Sequence, residues 1–376
     1  MPTSYSTFLP SRLHFGCGTR RKVSAELDSL ADGGVPPRVL LVASRSVRQS
    51  PLGEELAASL GARLAGEFVG VPHDPPVTTV DEIRQSARQC NANAMVALGG
   101  GSVMDAAKTA ALLAWRDEPT VAFHRGEVTV SDRGLPLIAL PTTAGTGAEI
   151  TKNAVLTDVE REYKGSIKTP AMVPSVAIID PEFTLGLPRR VTADSGLDAL
   201  TQAIESYVSS GANALTQALA KQATALLLRW LPLAWENGQD AAARSGAAEG
   251  AMISAMAFSQ SGLGAVHGLA HPIGHRLGLA HGFTCAVLLP QVIRFNLPIC
   301  RQQFDALAAE SGCGDSTGLL ERVDWLCRHL QGPATLPNLQ ESDLGYIVKN
   351  CRSGSMKANP RPMSDDDVIG LLQRLM

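Results

Sequence analysis

Between Val39 and Asp180, short and wholly apolar runs alternate with stretches whose apolar residues recur every three or four positions. Val39-Leu40-Leu41-Val42-Ala43, Ala94-Met95-Val96-Ala97-Leu98, Leu137-Ile138-Ala139-Leu140 and Val176-Ala177-Ile178-Ile179-Asp180 have the length and composition of buried strands, and Ala62 to Val71 reads as a further one. Pro51 to Leu60 (closing near Gly61), Val80 to Cys90 and Val103 to Ala114 carry helical spacing. Strand–helix alternation of this kind predicts a mostly parallel sheet with helices on both faces. After Pro188 the pattern changes: Ala193 to Ser209, Asn213 to Trp230, Ala241 to Gln260 and Phe304 to Glu310 read as helices, and strand signals nearly vanish. The expected organisation is an α/β domain over residues 1–187 and an all-helical domain over 188–376, with a turn-rich loop at 31–37.

Composition adds exclusions. A chain of 376 residues is longer than one core usually supports, and 45% hydrophobic with 18% charged residues is ordinary for a buried globular interior. The net charge of -3 gives no electrostatic reason to expect nucleic acid or an anionic membrane as partner. Met1 to Ser11 lacks a basic stretch followed by an apolar core, and apolar runs such as Ala223 to Leu228 are too short to span a bilayer. Seven cysteines (17, 90, 285, 300, 313, 327 and 351), none in CxxC spacing, read as reduced thiols of a cytoplasmic protein.

Three segments carry chemistry. In Leu98-Gly99-Gly100-Gly101-Ser102-Val103-Met104-Asp105 a strand runs through glycines into a helix. Backbone without Cβ atoms admits a pyrophosphate to the N–H groups of a helix start. Ser102 with Asp105 also fits an ordinary helix cap, so dinucleotide binding and a capped helix after a tight turn both stand at this point. Pro141-Thr142-Thr143-Ala144-Gly145-Thr146-Gly147 follows a second strand, at the carboxyl end where open α/β sheets bind ligands. In the helical half, His267, His271 and His275 are spaced four apart with His281 beyond, and Asp194, Asp198 and Gln202 share that spacing upstream, with Glu205 one turn on. Acids and imidazoles on helical stripes point to a divalent metal; the alternative is acids at a helix start and histidines bonded to carbonyls. Gly268 stands where a metalloprotease HExxH helix needs glutamate, which excludes that class. His124 reads as a surface residue of a polar loop.

Over essentially its whole length the chain resembles the iron-containing (group III) alcohol dehydrogenase family. The resemblance lies in Gly99–Ser102 with Asp105 and Lys108, in Pro141–Glu149, in Asp198-Ala199-Leu200-Thr201-Gln202-Ala203-Ile204-Glu205, in Val266-His267-Gly268-Leu269-Ala270-His271-Pro272-Ile273-Gly274, and in His281-Gly282 and Asn359-Pro360-Arg361-Pro362. It implies a Rossmann-like dinucleotide-binding domain and a helical metal and substrate domain in a dehydroquinate synthase-like architecture, with the active site in the cleft between them. It places Asp198, Gln202, His267 and His281 at a divalent metal, Fe2+ or Zn2+, and His271 near the substrate and nicotinamide, where it is a candidate to relay the proton or to orient the substrate. It places Ser44, Gly99, Gly100, Ser102, Thr142, Thr143, Thr146 and Lys164 around the cofactor, Asp105 close to the nicotinamide, and Asn153 with Phe258 on the substrate wall. One position departs: Gln202 stands where the family carries a histidine, and an amide oxygen is a weaker donor than imidazole.

The implied reaction is hydride transfer between a nicotinamide cofactor, NAD(P)(H), and a small alcohol or aldehyde, with the metal as Lewis acid. Ser44-Arg45-Ser46-Val47-Arg48 at the end of the first strand offers no acid for the ribose hydroxyls and two arginines for a 2′-phosphate, which favours NADP(H). Lys152, Arg276 and Lys357 suit an anionic substrate as well as they suit solvent. The competing readings are a metal-independent reductase and a metal-free dinucleotide-binding protein of the same fold. A homodimer is implied, with Leu13-His14-Phe15 adding a strand across its interface.

Overall fold

The computed structural model describes residues 4–31, 34–130, 132, 134–332 and 335–376, so the turn-rich loop expected at 31–37 lies partly outside the described residues. The chain divides into two compact units, one made of Phe8–Thr143 and Ala148–Thr184, the other built on Leu185–Met376 with Ala144–Gly147.

The first unit contains the strands β1 (Arg12–Phe15), β2 (Val39–Ala43), β3 (Leu64–Val69), β4 (Ala94–Gly99), β5 (Leu137–Pro141), β6 (Asn153–Asp158), β7 (Tyr163–Lys168) and β8 (Val176–Ile179), and the helices α1 (Val23–Leu30), α2 (Pro51–Leu60), α3 (Val77–Gln89) and α4 (Gly101–Leu113). Six strands form one sheet in the order β1-β8-β5-β4-β2-β3, and every pairing in it is parallel. The apolar runs fix its register from both sides. Leu40, Val42, Met95, Ala97 and Ala139 pack against Val80 and Ile83 of α3 and Val103 and Met104 of α4. Val39, Leu41, Val96, Leu98 and Ile138 pack with Leu27, Leu56 and Leu60 of α1 and α2. A slip of one residue would exchange the two faces of a strand, so two complete cores specify each alignment. Helix α2 begins as its sequence requires: Ser50 Oγ accepts from the Gly53 N–H at 3.2 Å, and Pro51 takes the first helical position.

Leu13–Phe15, expected at an interface, is part of β1 and pairs with β8 of its own sheet, Leu13 opposite Ala177. The antiparallel hairpin β6–β7, absent from the sequence-based expectation, pairs Asn153 with Lys168 through Asp158 with Tyr163. Its first strand does alternate, burying Ala154, Leu156 and Asp158, but Asp158 breaks the apolar signal. The buried carboxylate is held by Arg125 at 2.7 Å. His124 also departs from expectation: it belongs to the short helix Thr120–His124, and its ring lies 5.8 Å from that of Tyr163.

Lys108 ties this hairpin to the sheet. Its side chain is wholly buried, and Nζ donates to Thr151 O at 3.3 Å, to Thr151 Oγ1 at 3.2 Å and to Asn153 O. Asp105 Oδ1 lies 3.5 Å from the same ammonium, and Asp105 Oδ2 accepts from the Val155 N–H at 2.9 Å. An ammonium stripped of water persists in an interior only with such a set of partners. Asp105, whatever its place relative to the nicotinamide, is a strut between α4 and β6. Burial and the nearby Asp105 carboxylate raise the Glu149 carboxyl from its ordinary 4.5 up to about 7, against the opposing pull of its own backbone N–H and of Lys108.

The second unit is helical: α5 (Arg189–Val208), α6 (Ala214–Glu236), α7 (Ala241–Ser261), α8 (Ala265–Leu277), α9 (His281–Glu310), α10 (Ser316–Gln331), α11 (Glu341–Asn350) and α12 (Asp365–Gln373). Helix α5 is its axis, buried on nearly every face from Thr192 to Val208. Leu197, Leu200 and Ile204 of α5 share one core with Leu227 of α6, Ile273 of α8 and Leu288 of α9. Helix α9 is long and apolar enough, by length and composition, to cross a membrane, which the short contiguous runs did not announce; 61% of that stretch is buried inside this core. It contains Pro290 and Pro298 and leaves helical geometry at Cys300 (φ -114°), as expected where proline removes a backbone donor.

A carboxyl that holds its proton more tightly folded than unfolded stabilises most at low pH, and the benefit is lost as pH rises from about 4.5 towards 7. Glu149→Gln never ionises. It is expected to raise the unfolding temperature relative to the parent at pH 8 and to leave it nearly unchanged at pH 5; a pH-independent offset in thermal scans would contradict a raised Glu149.

Candidate active site

Within the α/β unit, the ends of β5, β4 and β2 stand side by side, and the candidate cofactor residues follow from them. Gly99 pairs with Pro141, and the Thr142 N–H donates to Gly99 O at 2.9 Å. A Cβ placed on Gly100 would find only the Thr143 side chain, at 3.5 Å, an ordinary contact. What the missing side chain leaves is open approach to the start of α4. That start is capped by Gly100 with no side-chain hydrogen bond, so of the two readings left open the Ser102–Asp105 cap does not form, and Asp105 is committed to Val155. Uncapped donors behind a glycine-lined turn fit a pyrophosphate. Ser44 begins the turn after β2, and its N–H donates to Leu98 O at 3.2 Å. Arg48 is held by both oxygens of Glu67 at 2.9 and 3.0 Å, so of the two arginines there it is already neutralised.

In the helical unit, one face of α5 organises the rest. Asp198, Gln202 and Glu205 lie at helical spacing and are all buried. Helix α8 starts at Gly264, which offers no side-chain cap; the Val266 N–H donates to Glu205 Oε1 at 2.6 Å and the Ala265 N–H to Asn359 Oδ1 at 3.2 Å. The close approach needs glycine, since a Cβ on Gly264 would lie 2.7 Å from Glu205 Oε1. The other oxygen of Glu205 accepts from His267 Nδ1 at 2.6 Å, which turns Nε2 toward Asp198 Oδ1 at 3.1 Å. Helix α9 likewise starts without a side-chain cap, and Asp194 of α5 accepts from the Phe283 N–H beside it. His281, its first residue, brings Nε2 to 3.7 Å from Asp198 Oδ1.

The donor atoms of Asp198, His267, His281 and Cys285 all lie within 4.8 Å of one another. Burial works against charge on Asp198, but His267, His281 and the Gln202 amide hold its carboxyl below the usual range. Burial likewise disfavours a proton on His267, yet the carboxylates of Asp198 and Glu205 raise it to about 10. The cluster therefore attracts positive charge. Gln202 Oε1, on the same stripe as Asp198, is buried with no hydrogen-bond partner. An acid, two imidazoles with the second nitrogen of one fixed by a carboxylate, and an orphaned oxygen fit a divalent cation.

The other expected residues have surroundings of their own. His271 stacks on His281 with ring centroids 5.0 Å apart, whereas His275 is exposed at the far end of α8. Asp194, grouped with the ligands by spacing, is engaged by Gln331 at 2.7 Å. Lys164 is bound to Asp74 at 2.7 Å, and Asn153 presents its carbonyl to Lys108. Thr146 lies in the loop Ala144–Gly147, which belongs to the helical unit, and the Phe258 ring borders Gly147 in the same unit. Arg276 is tied to Asp343 at 2.7 Å and Lys152 sits over the Phe8 ring. Spacing alone had missed two contributors: the orienting role of Glu205 and the presence of Cys285, one turn beyond His281.

A nucleotide-competent parallel sheet and a helical unit with a buried acid–imidazole centre define the dehydroquinate synthase-like class of metal- and dinucleotide-dependent enzymes. Within it, the chain belongs to the iron-containing alcohol dehydrogenase family, nicotinamide-dependent oxidoreductases acting on CH–OH groups. Residues 10–181 match the family profile "Iron-containing alcohol dehydrogenase" and residues 192–376 the profile "Fe-containing alcohol dehydrogenase family, C-terminal". The NAD-dependent methanol dehydrogenase of Bacillus methanolicus is 32% identical, over 98% of this chain and 99% of its own. The 1,3-propanediol dehydrogenase of Klebsiella pneumoniae is 33% identical over 82% of each. The crystal structure of sulfoacetaldehyde reductase from Bifidobacterium kashiwanohense in complex with NAD+ superposes with a TM-score of 0.93 at 28% identity, covering 100% of this chain and 99% of that one.

If Glu205 orients His267, its carboxylate matters beyond its shape. Glu205→Gln is expected to weaken divalent-metal affinity about 10- to 100-fold, measured by competition with a chelator. Unchanged affinity in a folded variant would remove Glu205 from that role.

Proposed function

We propose that this protein is a metal-assisted, nicotinamide-dependent dehydrogenase that interconverts a small alcohol and its aldehyde. The observation that carries the reading is the convergence of Asp198, His267 and His281 on one buried point, with His267 oriented by Glu205. Asp198, His267 and His281 would hold the cation, Fe2+ or Zn2+, with Gln202 beside them. When bound, the cation supplies a Lewis acid for a hydroxyl or carbonyl oxygen, and the dinucleotide supplies or accepts hydride. Gly99, Gly100, Ser102, Thr142 and Thr143 receive the pyrophosphate on backbone and hydroxyl donors, and Thr146 and Lys164 belong to the same cofactor set. Asp105 acts there at one remove, fixing α4 against β6 through Val155. Phe258 and Asn153 wall the substrate.

His271 moves the proton. It is half-buried on α8, one turn beyond His267, and its ring lies flat against that of His281, a position from which imidazole can pass a proton between a substrate hydroxyl and water. NADP(H) is the preferred dinucleotide on the ground that no acid follows β2, where Ser44 and Arg45 stand instead; with Arg48 engaged by Glu67, that preference rests on Arg45. A short substrate is in keeping with relatives named for methanol and 1,3-propanediol, and a sulfonated aldehyde with the sulfoacetaldehyde reductase. Arg276 and Lys152 are occupied within the protein, which leaves Lys357 of the three cations considered for an anionic group. The enzyme acts as a homodimer, with β1 at the open edge of the sheet as the contact. The metal-free alternative rests on Gln202, and the unpartnered oxygen of that same residue speaks for a cation.

Metal content of the purified protein, before and after chelation, is read alongside NADPH and NADH oxidation with a panel of short aldehydes that includes a sulfonated one. A stoichiometric divalent ion whose removal abolishes turnover is the expected result. Protein that never takes up metal and turns over nothing would leave only dinucleotide binding, and equal efficiency with NADH would end the NADP preference. His271→Phe keeps the ring stack but removes the exchangeable proton. Turnover is expected to fall about 100-fold or more with dinucleotide affinity unchanged, and unchanged turnover would take His271 out of the reaction.

A further inference from the structure

We infer that Cys285 is a ligand of this centre, its sulfur supplying the coordination that an imidazole at position 202 would give, and that the centre therefore selects zinc over iron(II). The inference rests on the proposed metal site and goes beyond it in naming the fourth donor and the ion.

Cys285 lies on α9 one turn after His281, so both side chains leave the same face of the helix. It is wholly buried, and its Sγ stands 3.6 Å from His281 Nε2. The separations among the donors, 3.1 Å from His267 Nε2 to Asp198, 3.7 Å from His281 Nε2 to Asp198 and 3.6 Å from Sγ to His281, compare with edges of about 3.3–3.8 Å for a tetrahedron of nitrogen, oxygen and sulfur around zinc. All four donor atoms lie within 4.8 Å of one another, so side-chain adjustment alone would bring the sulfur onto a common ion. Cys327, also buried nearby, is outside it. Gln202 meets the set through its amide hydrogen bond to the Asp198 carboxylate, and its Oε1 remains unpartnered.

Softness then decides the ion. A thiolate with two imidazoles and one carboxylate favours zinc, which also binds such donors more tightly than iron(II) does. On loading, the S–H bond breaks, the proton leaves to solvent and the sulfur–metal bond forms, with no change of oxidation state. Without a cation the site keeps the thiol, because burial and the nearby Asp198 and Glu205 carboxylates push its ionisation well above the usual thiol range. Four protein donors still leave zinc a fifth position.

Cobalt(II) reads the two statements separately. The protein is stripped by chelation and reloaded with cobalt(II), whose visible ligand-field bands report that the ion is bound and whose intense near-ultraviolet band reports sulfur on it. The parent is expected to show both. Cys285→Ser should keep the visible bands and lose the near-ultraviolet one, while Gln202→Ala should keep both. Zinc affinity should fall in Cys285→Ser by more than the about 10- to 100-fold typical of a residue one shell out, and the preference for zinc over iron(II) should shrink with it. Bound cobalt(II) without the sulfur band in the parent, which needs no variant, would overturn the inference and leave the proposed function standing, as would a sulfur band that survives Cys285→Ser. Failure of the parent to bind cobalt(II) or zinc at all would bring down both.

Discussion

The carboxylate of Glu205 is shared between a helix start and an imidazole, and the helical unit is arranged around that sharing. One oxygen satisfies a backbone donor that α8 cannot cap for itself; the other fixes the ring of His267. Neither oxygen is replaceable by water, because the group is buried and each bond is charge-assisted. The same economy recurs at α9, where Asp194 stands at the start of the helix that carries His281. Two acids of α5 thus set where two histidine-bearing helices begin, and Asp198 lies on the stripe between them. The approach is only possible because small residues face the stripe: a Cβ on Gly264 would meet Glu205 at 2.7 Å, and one on Gly282 would meet Asp194 O at 1.9 Å. Capping and ligand placement are one constraint here.

A comparable coupling operates in the α/β unit with opposite charge. Lys108 is an ammonium in a core, and the backbone oxygens of Thr151 and Asn153 that satisfy it fix the path of chain leaving the second cofactor loop. Asp105 completes the balance and anchors Val155. The start of α4 is thereby held rigid while keeping its own N–H donors uncommitted. A helix start that satisfied itself with Ser102 or Asp105 would be a better helix and a poorer anion receptor.

Much of this was legible in the sequence because it is periodic. The aliphatic runs at Val39, Ala94, Leu137 and Val176 place the central strands, and the spacing of Asp198, His267 and His281 points to a common centre. What stayed hidden is not periodic. The hairpin β6–β7 buries Asp158 where a strand pattern expects an aliphatic residue, and Arg125, far away in sequence, makes that tolerable together with the Arg161 N–H. His275 continued the histidine spacing and yet faces solvent, because spacing defines a stripe on α8 but not how far along the helix the core extends. Glu205 looked like the next residue of an acidic stripe, and its importance appears only when the uncapped start of α8 is brought against it. Asn359 matched a family segment without a reason; the structure supplies one in its bond to the Ala265 N–H and its paired amide bonds with Asn296 at 2.9 and 3.0 Å.

The glutamine at position 202 acquires a different meaning in this setting. Removing an imidazole from a centre held together by its own ligands would leave a buried void of coordination, and the neighbouring side chains would relax into it. Here the acids that orient His267 and place α9 do so through backbone donors and second nitrogens, not through the metal-facing atoms. The scaffold is therefore indifferent to which residue supplies the last donor, and α9, already positioned by Asp194, carries Cys285 into range as a consequence of carrying His281. Exchanging a neutral imidazole for an anionic sulfur brings the formal charge of the donor set, with Asp198, to match a divalent ion. Pre-organisation by capping acids is what allows the donor set to drift in sequence while the geometry of the centre stays fixed.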